Sequence, residues 1–308
     1  MIRKIIHIII FLLIPFLMQG QRLTPVYSQY WLNGLAINPA YAGSRECFSN
    51  TVLYRNQWMG FEGAPVTQTL SSHSSFPDEK HAVGLFLFHE QIGVSNNYDI
   101  YGNYAFRFKF AGGKFALGLK AGTSIIQNDW TQIEAGEEYD PEFTGDENET
   151  VYQPNVGFGL YYYTNRFYFG ASIPSFLSYK KDIASSKYQM YNDINNYDFL
   201  ISAGVLIGKS DILKFRPTIL ARYRLNNTFQ VDAGANAILY NTVWFGLSYR
   251  HNDEFAVMLE YQVNNQIRVG AAYDFVMGDL AGKNDGSFEI ILRYEFKYRI
   301  KAENPRFF

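Results

Sequence analysis

The 308-residue sequence contains one cysteine, which excludes an intramolecular disulfide framework and any multi-cysteine zinc or iron–sulfur site. It lacks a surplus of either charge, with 27 basic against 29 acidic side chains. The basic footprint that nucleic acid requires is therefore missing. Beyond the N-terminus no apolar run is long enough for a spanning helix, and the 3.6-residue period of amphipathic helices is almost absent. What the chain has instead is aromatic mass. It carries 24 Tyr and 26 Phe, and 47% of its residues are hydrophobic although mean hydropathy is −0.17. Apolar character is spread thinly over many short segments.

The N-terminus reads as an address label. Met1-Ile2-Arg3-Lys4 is basic, Ile5–Met18 is an apolar run broken by His7 and Pro15, and Gln19-Gly20-Gln21 follows. The run falls short of the roughly 20 residues a bilayer-spanning helix needs and fits the hydrophobic region of a secretory signal. Residues 1–20 are expected to be a cleaved signal peptide, 21–46 a periplasmic lead-in, 47–298 a β-barrel and 299–308 a periplasmic tail. Cys47 lies too far from the apolar run to take a lipid.

From residue 47 onward the chain alternates with period two. Phe115, Leu117, Leu119 and Ala121 oppose Ala116, Gly118, Lys120, Gly122 and Ser124. Phe229, Val231, Ala233, Ala235 and Ala237 oppose Gln230, Asp232, Gly234 and Asn236. The same holds for Ile267–Phe275 and for Phe288–Phe296. Such alternation puts each set on its own side of a sheet. Fourteen strands are expected, at about 47–57, 65–76, 80–90, 97–110, 113–126, 151–163, 165–174, 197–208, 213–225, 227–239, 242–250, 253–263, 265–275 and 286–298.

Three features choose lipid over water as the outer solvent. The polar face carries Lys120, Arg222, Asp232, Glu260, Arg268 and Arg293 at mid-strand, costly in a dry core unless paired but tolerable facing the interior of a wide barrel. Tyr54, Trp58, Tyr98, Tyr162, Tyr163, Trp244, Tyr249, Tyr273 and Tyr294 gather near strand ends, as interfacial rings do. Connections alternate between short turns at one end and longer loops (127–150, 175–196, 276–285) at the other, the pattern of outer-membrane barrels. The expected fold is all-β: a transmembrane antiparallel β-barrel of about 14 strands, monomeric. Lipid must surround a closed sheet, since no backbone group can stay unpaired there.

Candidate chemistry is sparse. Glu134, Glu137, Glu138, Asp140, Glu142, Asp146, Glu147 and Glu149 crowd the longest loop without calcium-loop spacing, so they read as a solvated surface. His73, His81 and His89 recur every eight residues, but His81 and His89 lie about 26 Å apart along one strand, too far to share an ion. No nucleophile elbow, paired-carboxylate motif or phosphate loop is present. No enzyme activity, cofactor or metal is expected. Arg22–Phe48, rich in Asn, Pro and Tyr, reads as a lead-in packed against the barrel mouth; the alternative is a plug inside the lumen.

Four stretches carry a family resemblance. They are Asn38-Pro39-Ala40-Tyr41-Ala42-Gly43, the hairpin Arg55-Asn56-Gln57-Trp58 with Gly63-Ala64-Pro65, the last strand Phe288–Phe296, and the closing Asn304-Pro305-Arg306-Phe307-Phe308. In this order they resemble the PorP/SprF family of the type IX secretion system of Bacteroidota. The resemblance implies an outer-membrane barrel in protein secretion or gliding motility. Its implied partners are periplasmic components of the machinery and an adhesin-type cargo bearing a C-terminal sorting domain. It brings no catalytic residues. Asn38, Pro39, Ala40, Tyr41, Gly43, Arg55, Gln57, Trp58, Pro65, Pro305, Arg306 and Phe308 are its signature positions. Both termini are expected in the periplasm. The rival reading is a passive diffusion porin or small-solute transporter.

Overall fold

The computed structural model describes residues 27–132, 148–182, 187–225, 228–251 and 253–296. Sixteen strands follow in order: β1 (Phe48–Asn56), β2 (Val66–Ser75), β3 (His81–Ile92), β4 (Ser95–Phe110), β5 (Gly113–Asn128), β6 (Glu149–Tyr163), β7 (Phe167–Ile173), β8 (Ser178–Asp182), β9 (Lys187–Tyr191), β10 (Phe199–Val205), β11 (Leu213–Arg224), β12 (Thr228–Leu239), β13 (Val243–Arg250), β14 (Glu254–Gln262), β15 (Ile267–Val276) and β16 (Ser287–Phe296). Fourteen of them close into one antiparallel barrel, sealed by nine paired positions between β1 and β16. No free sheet edge remains on the wall. Every expected strand is present within a few residues.

The expected alternation sets the two faces. On β16, Glu289, Ile291, Arg293 and Glu295 point inward and are buried, while Ile290, Leu292, Tyr294 and Phe296 are exposed outside. Leu119 is 58% exposed and Phe245 53%. A wall of exposed Leu, Ile and Phe around a polar interior is the inverse of a water-soluble protein and suits a hydrocarbon solvent.

Six connections at one end are short: 76–80, 111–112, 164–166, 206–212, 240–242 and 263–266. Several carry an exposed apolar ring or branch at the rim, among them Phe76, Ile212, Tyr240 and Val263. Neighbouring turns are tied together there: Lys214 Nζ reaches Asp211 at 3.1 Å and Asn241 at 2.9 Å. The Lys214 ammonium and the Asn241 amide hold the Asp211 carboxyl below its usual range.

The other end carries the long connections. One holds a feature beyond the fourteen expected strands: within the expected loop 175–196, β8 and β9 form a separate two-stranded hairpin. It is fastened to the barrel by Lys181 on Glu149 at 2.7 Å and by the Tyr179 hydroxyl on the Pro154 carbonyl. Five-residue strands with mixed polarity gave too little period-two signal to be seen. Of the acidic loop, all but Glu149 lies outside the described residues, as do Pro305, Arg306 and Phe308. Two expected interfacial rings face inward instead. Trp244 is fully buried under Arg268, and the Tyr163 hydroxyl accepts from Arg107 Nη1 inside the barrel. Both sit on the inward parity of their strands, and proximity to a strand end did not override that parity.

Candidate functional site: the filled lumen

Residues Tyr27–Arg45 are not a lead-in at the mouth; they lie inside the barrel. All but Ala36 are buried, and they touch strands on every side: β2 at Thr69, β4 at Arg107, β6 at Leu160, β14 at Glu260 and β16 at Glu289. In a closed ring only the lumen offers such contacts. The physical reason for the difference is chemical demand. The inward faces carry buried ions that need partners in a space too narrow to stay fully hydrated, and the insert supplies them.

The insert is built from three tight turns, Tyr30–Leu32, Gly34–Ile37 and Pro39–Tyr41. Asn38 sets up the last of these. Its Oδ1 accepts from the Ala40 amide at 2.9 Å while Pro39 holds the first position of the turn, a capping arrangement with a pre-set φ. The same side chain uses Nδ2 to reach the Leu160 carbonyl at 2.8 Å and that of Ala171 at 3.4 Å. Ala40 then lies so close to β5 that a Cβ on Gly118 would overlap the Pro39–Ala40 backbone, and one on Gly159 would overlap the Asn38 side chain. Glycine is required at those wall positions because the insert's backbone occupies the space. Tyr41 packs edge-on against His73 and Tyr161, with centroids 5.4 and 5.5 Å away. Gly43, at φ +71°, donates its amide to His73 Nδ1 at 3.1 Å, and its carbonyl accepts from Arg107.

Three charged layers hold the insert along its length. At the long-loop end Arg55 of β1 grips Glu254 through two bonds of 2.9 and 3.0 Å and also meets Asp274 and Glu289. Glu289 accepts from the Ser28 amide (3.0 Å), the Gln29 amide (3.0 Å) and Gln29 Nε2 (3.2 Å). Ser28 Oγ donates to Asp274 at 2.8 Å, and Arg250 bridges Glu254 at 2.5 Å and Asp232 at 2.8 Å. At mid-height Trp31 Nε1 donates to Glu260 at 2.8 Å, with Arg216 and Arg268 each 3.7 Å from the same carboxylate. Arg293 donates to the Leu32 carbonyl. At the short-turn end Arg45 pairs with Glu295 at 2.6 Å, and Glu46 with Lys114 at 2.6 Å.

The chain therefore climbs the lumen backwards from β1. Tyr27 lies at the long-loop end and Cys47 at the short-turn end. The last described residue, Phe296, lies beside the short turns; both termini of the chain, expected in the periplasm, lie outside the described residues.

The sequence-predicted positions fall into this arrangement unevenly. Asn38, Pro39, Ala40, Tyr41, Gly43 and Arg55 converge in the lumen. Gln57, Trp58 and Pro65 shape the β1–β2 loop: the Gln57 amide donates to the Pro65 carbonyl at 2.9 Å and the Trp58 amide to Ser287 Oγ at 3.1 Å. Arg222, Asp232, Glu260, Arg268 and Arg293 are buried at 0–6% exposure. Lys120 sits 3.7 Å over the Tyr101 ring, a cation–π contact. Sequence reasoning missed Arg107, Arg216, Arg250 and Glu254 among the inward charges around the insert, and Trp31 as the insert's own link to Glu260. Among the described residues no group of three or more His, Cys, Asp or Glu is placed to hold a metal ion.

A closed antiparallel barrel with an apolar exterior and a polar, chain-filled interior defines the class of outer-membrane β-barrel proteins. Among solved structures, the chain is similar to the CymD monoaromatic hydrocarbon channel, at 13% identity and a TM-score of 0.52 over 87% of this chain and 93% of that one. It also resembles Omp33 of Acinetobacter baumannii (8% identity, TM-score 0.46, 82% of this chain and 99% of that one) and outer membrane phospholipase A of Escherichia coli (10%, 0.39, 85% and 99%). No curated protein matches the sequence. The chain belongs to the family of the type IX secretion system membrane protein PorP/SprF, whose sequence model matches residues 20–294.

Proposed function

We propose that this protein is a non-enzymatic, self-plugged outer-membrane component of type IX secretion that assists secretion or surface attachment of an adhesin-type cargo carrying a C-terminal sorting domain. Membership of the PorP/SprF family supports the secretion role. The single observation that carries the mechanical part is the occupied lumen: Tyr27–Arg45 fills the space a diffusion channel would keep open. Work is then done by surfaces and not by permeation. The short turns face the periplasm, where envelope-spanning machinery of secretion or gliding docks, and the long loops with the β8–β9 hairpin face outward to the cargo. Partners bind loops and mouths, since the closed wall presents no strand edge. Lipid surrounds the exterior.

The test is a chromosomal deletion followed by immunolabelling of intact cells. The cognate adhesin is expected to vanish from the surface while remaining detectable inside. Unchanged display rejects the role. Reconstitution of the purified barrel separates the rival: steady open-channel currents from the intact chain would favour a porin.

A further inference from the structure

The long-loop mouth of the lumen is lined on one side by acceptors. Inward parity gathers Thr67 of β2, Glu90 of β3, Asn97 and Asp99 of β4 and Ser124 of β5. In the register Glu90 stands between Thr67 and Asn97, and Asp99 beside Ser124. Glu90 is 6% exposed and accepts from Thr67 Oγ1 at 3.2 Å. Oδ1 of Asn97 and Oδ1 of Asp99 are shut off from solvent and accept no hydrogen bond among the described residues. The two carboxylates face one ammonium on this stretch of wall, that of Lys120, which rests over the Tyr101 ring at 3.7 Å. Such a surplus of acceptors and negative charge calls for a cationic donor. Tyr27–Arg45 brings no cation to this place: its single one, Arg45, sits on Glu295 at the short-turn end. The first described residue does lie here. Tyr27 is 3% exposed, and its hydroxyl is within electrostatic reach of Glu90, Asp99 and Glu289.

We infer that this patch is the seat of the chain's own preceding segment, residues 21–26, with the Arg22 guanidinium held by Glu90 and the oxygens beside it. Arg22 is the only ionisable side chain in Gln21-Arg22-Leu23-Thr24-Pro25-Val26. It stands five residues before Tyr27, which gives it a backbone reach of at most about 17 Å. Pro25 turns Thr24 away from helical angles and toward an extended path. A guanidinium offers five donors in a fixed fork and accepts nothing, so it suits a carboxylate flanked by further acceptors. The occupant is attached to the insert, and its effective concentration at the patch is correspondingly high. The insert then becomes a strap pinned by an arginine at each end, Arg22 on Glu90 at the long-loop mouth and Arg45 on Glu295 beside the short turns. Both pins must release before the strap can leave the lumen. The inference rests on the filled lumen alone and is independent of the secretion role.

The experiment is a double-mutant cycle on the full-length protein in planar bilayers, with folding checked by heat-modifiable mobility and the amino end by intact mass. Arg22→Ala and Glu90→Gln are each expected to raise the open fraction at a fixed intermediate urea concentration roughly tenfold. The double variant should rise no further than either single one, because a broken pair cannot be broken twice. An additive rise of roughly a hundredfold in the double variant overturns the inference. So does an unchanged open fraction in Arg22→Ala, which would give the patch to a free cation or to a basic segment of another protein. Proximity is read independently in native outer membranes. Arg22→Cys is combined with Glu90→Cys, or with Gln230→Cys on β12, which faces the lumen diametrically across the barrel, and each pair is treated with a two-carbon bismethanethiosulfonate. Cys47 is buried at 2%, and the unsubstituted protein supplies its background. By mass spectrometry, the bridge from position 22 to position 90 is expected at least tenfold above that to position 230. Equal yields, or no bridge to position 90, overturn the inference.

Discussion

Glu289 is the point at which the barrel holds the upper end of its plug, and its removal should unseat the insert. One carboxylate receives the Ser28 amide, the Gln29 amide and Gln29 Nε2, all within 3.2 Å. Replacing it by alanine leaves two backbone donors buried without an acceptor, each costing roughly 1–3 kcal/mol. Together they amount to about 4 kcal/mol, close to a thousandfold shift from the seated toward the unseated lumen. Arg55 keeps Glu254 and Asp274 in the variant, so the wall itself should still close. The assay is conductance in planar bilayers across a urea series. Glu289→Ala should begin to open at a distinctly lower urea concentration than the wild type. Glu289→Gln retains one carbonyl acceptor and should fall between them. An onset unchanged in Glu289→Ala, with the barrel folded by heat-modifiable mobility, would refute the claim that this carboxylate seats the plug.

Three other perturbations probe the same arrangement. Arg55→Leu leaves three buried carboxylates around an empty centre and should destabilise the folded barrel by about 3–5 kcal/mol, read as a lower temperature of mobility shift on gels; an unchanged temperature would show that the cluster is not ion-paired. Gly118→Val forces a side chain into the Pro39–Ala40 backbone and should raise conductance and protease sensitivity of the insert, while Gly102→Val, on the outward face of β4, should do neither. Orientation is read with a membrane-impermeant maleimide on intact cells: Met277→Cys in a long loop should label, and Asp78→Cys in a short turn should label only after lysis. The reverse pattern would invert the barrel.

Period-two alternation made the wall legible because one rule governs every strand: a residue's parity decides whether it meets lipid or lumen. Glu289, Asp274 and Arg293 were placed on the inner side by parity alone, and they are there. Rings near strand ends were harder to read, since Trp244 and Tyr163 obey parity and not depth. The insert was legible only as an oddity. Its turns are too short for periodicity, and the choice between mouth and lumen depends on ions contributed by strands more than 200 residues away. Asn38 illustrates the gap. The Asn-Pro pair announces a capped turn, but nothing local announces that the same amide will pin Leu160 on β6. The β8–β9 hairpin escaped for the opposite reason: its two strands are local but too short to stand out.

The distribution of the insert's ionic contacts bears on how the barrel closes. Ser28, Gln29, Leu32 and Arg45 are all held by β15 and β16, the last strands of the chain, through Asp274, Glu289, Arg293 and Glu295. Arg55, on the first strand, binds Glu254, Asp274 and Glu289 from the same late region. The seam between β1 and β16 is thus bridged twice, once by the ladder of the wall and once by charge inside it. Pairing strands at opposite ends of a chain incurs a large loop-closure entropy before any contact is gained. A segment that precedes β1 and carries partners for β16 lowers that barrier by recruiting the last strand to the first. Replacing Arg45 and Ser28 together by alanine should then slow barrel closure more than it weakens the finished barrel. Refolding into lipid vesicles, followed by the appearance of the compact gel species, separates the two. A closure rate equal to wild type would leave the insert as a plug alone.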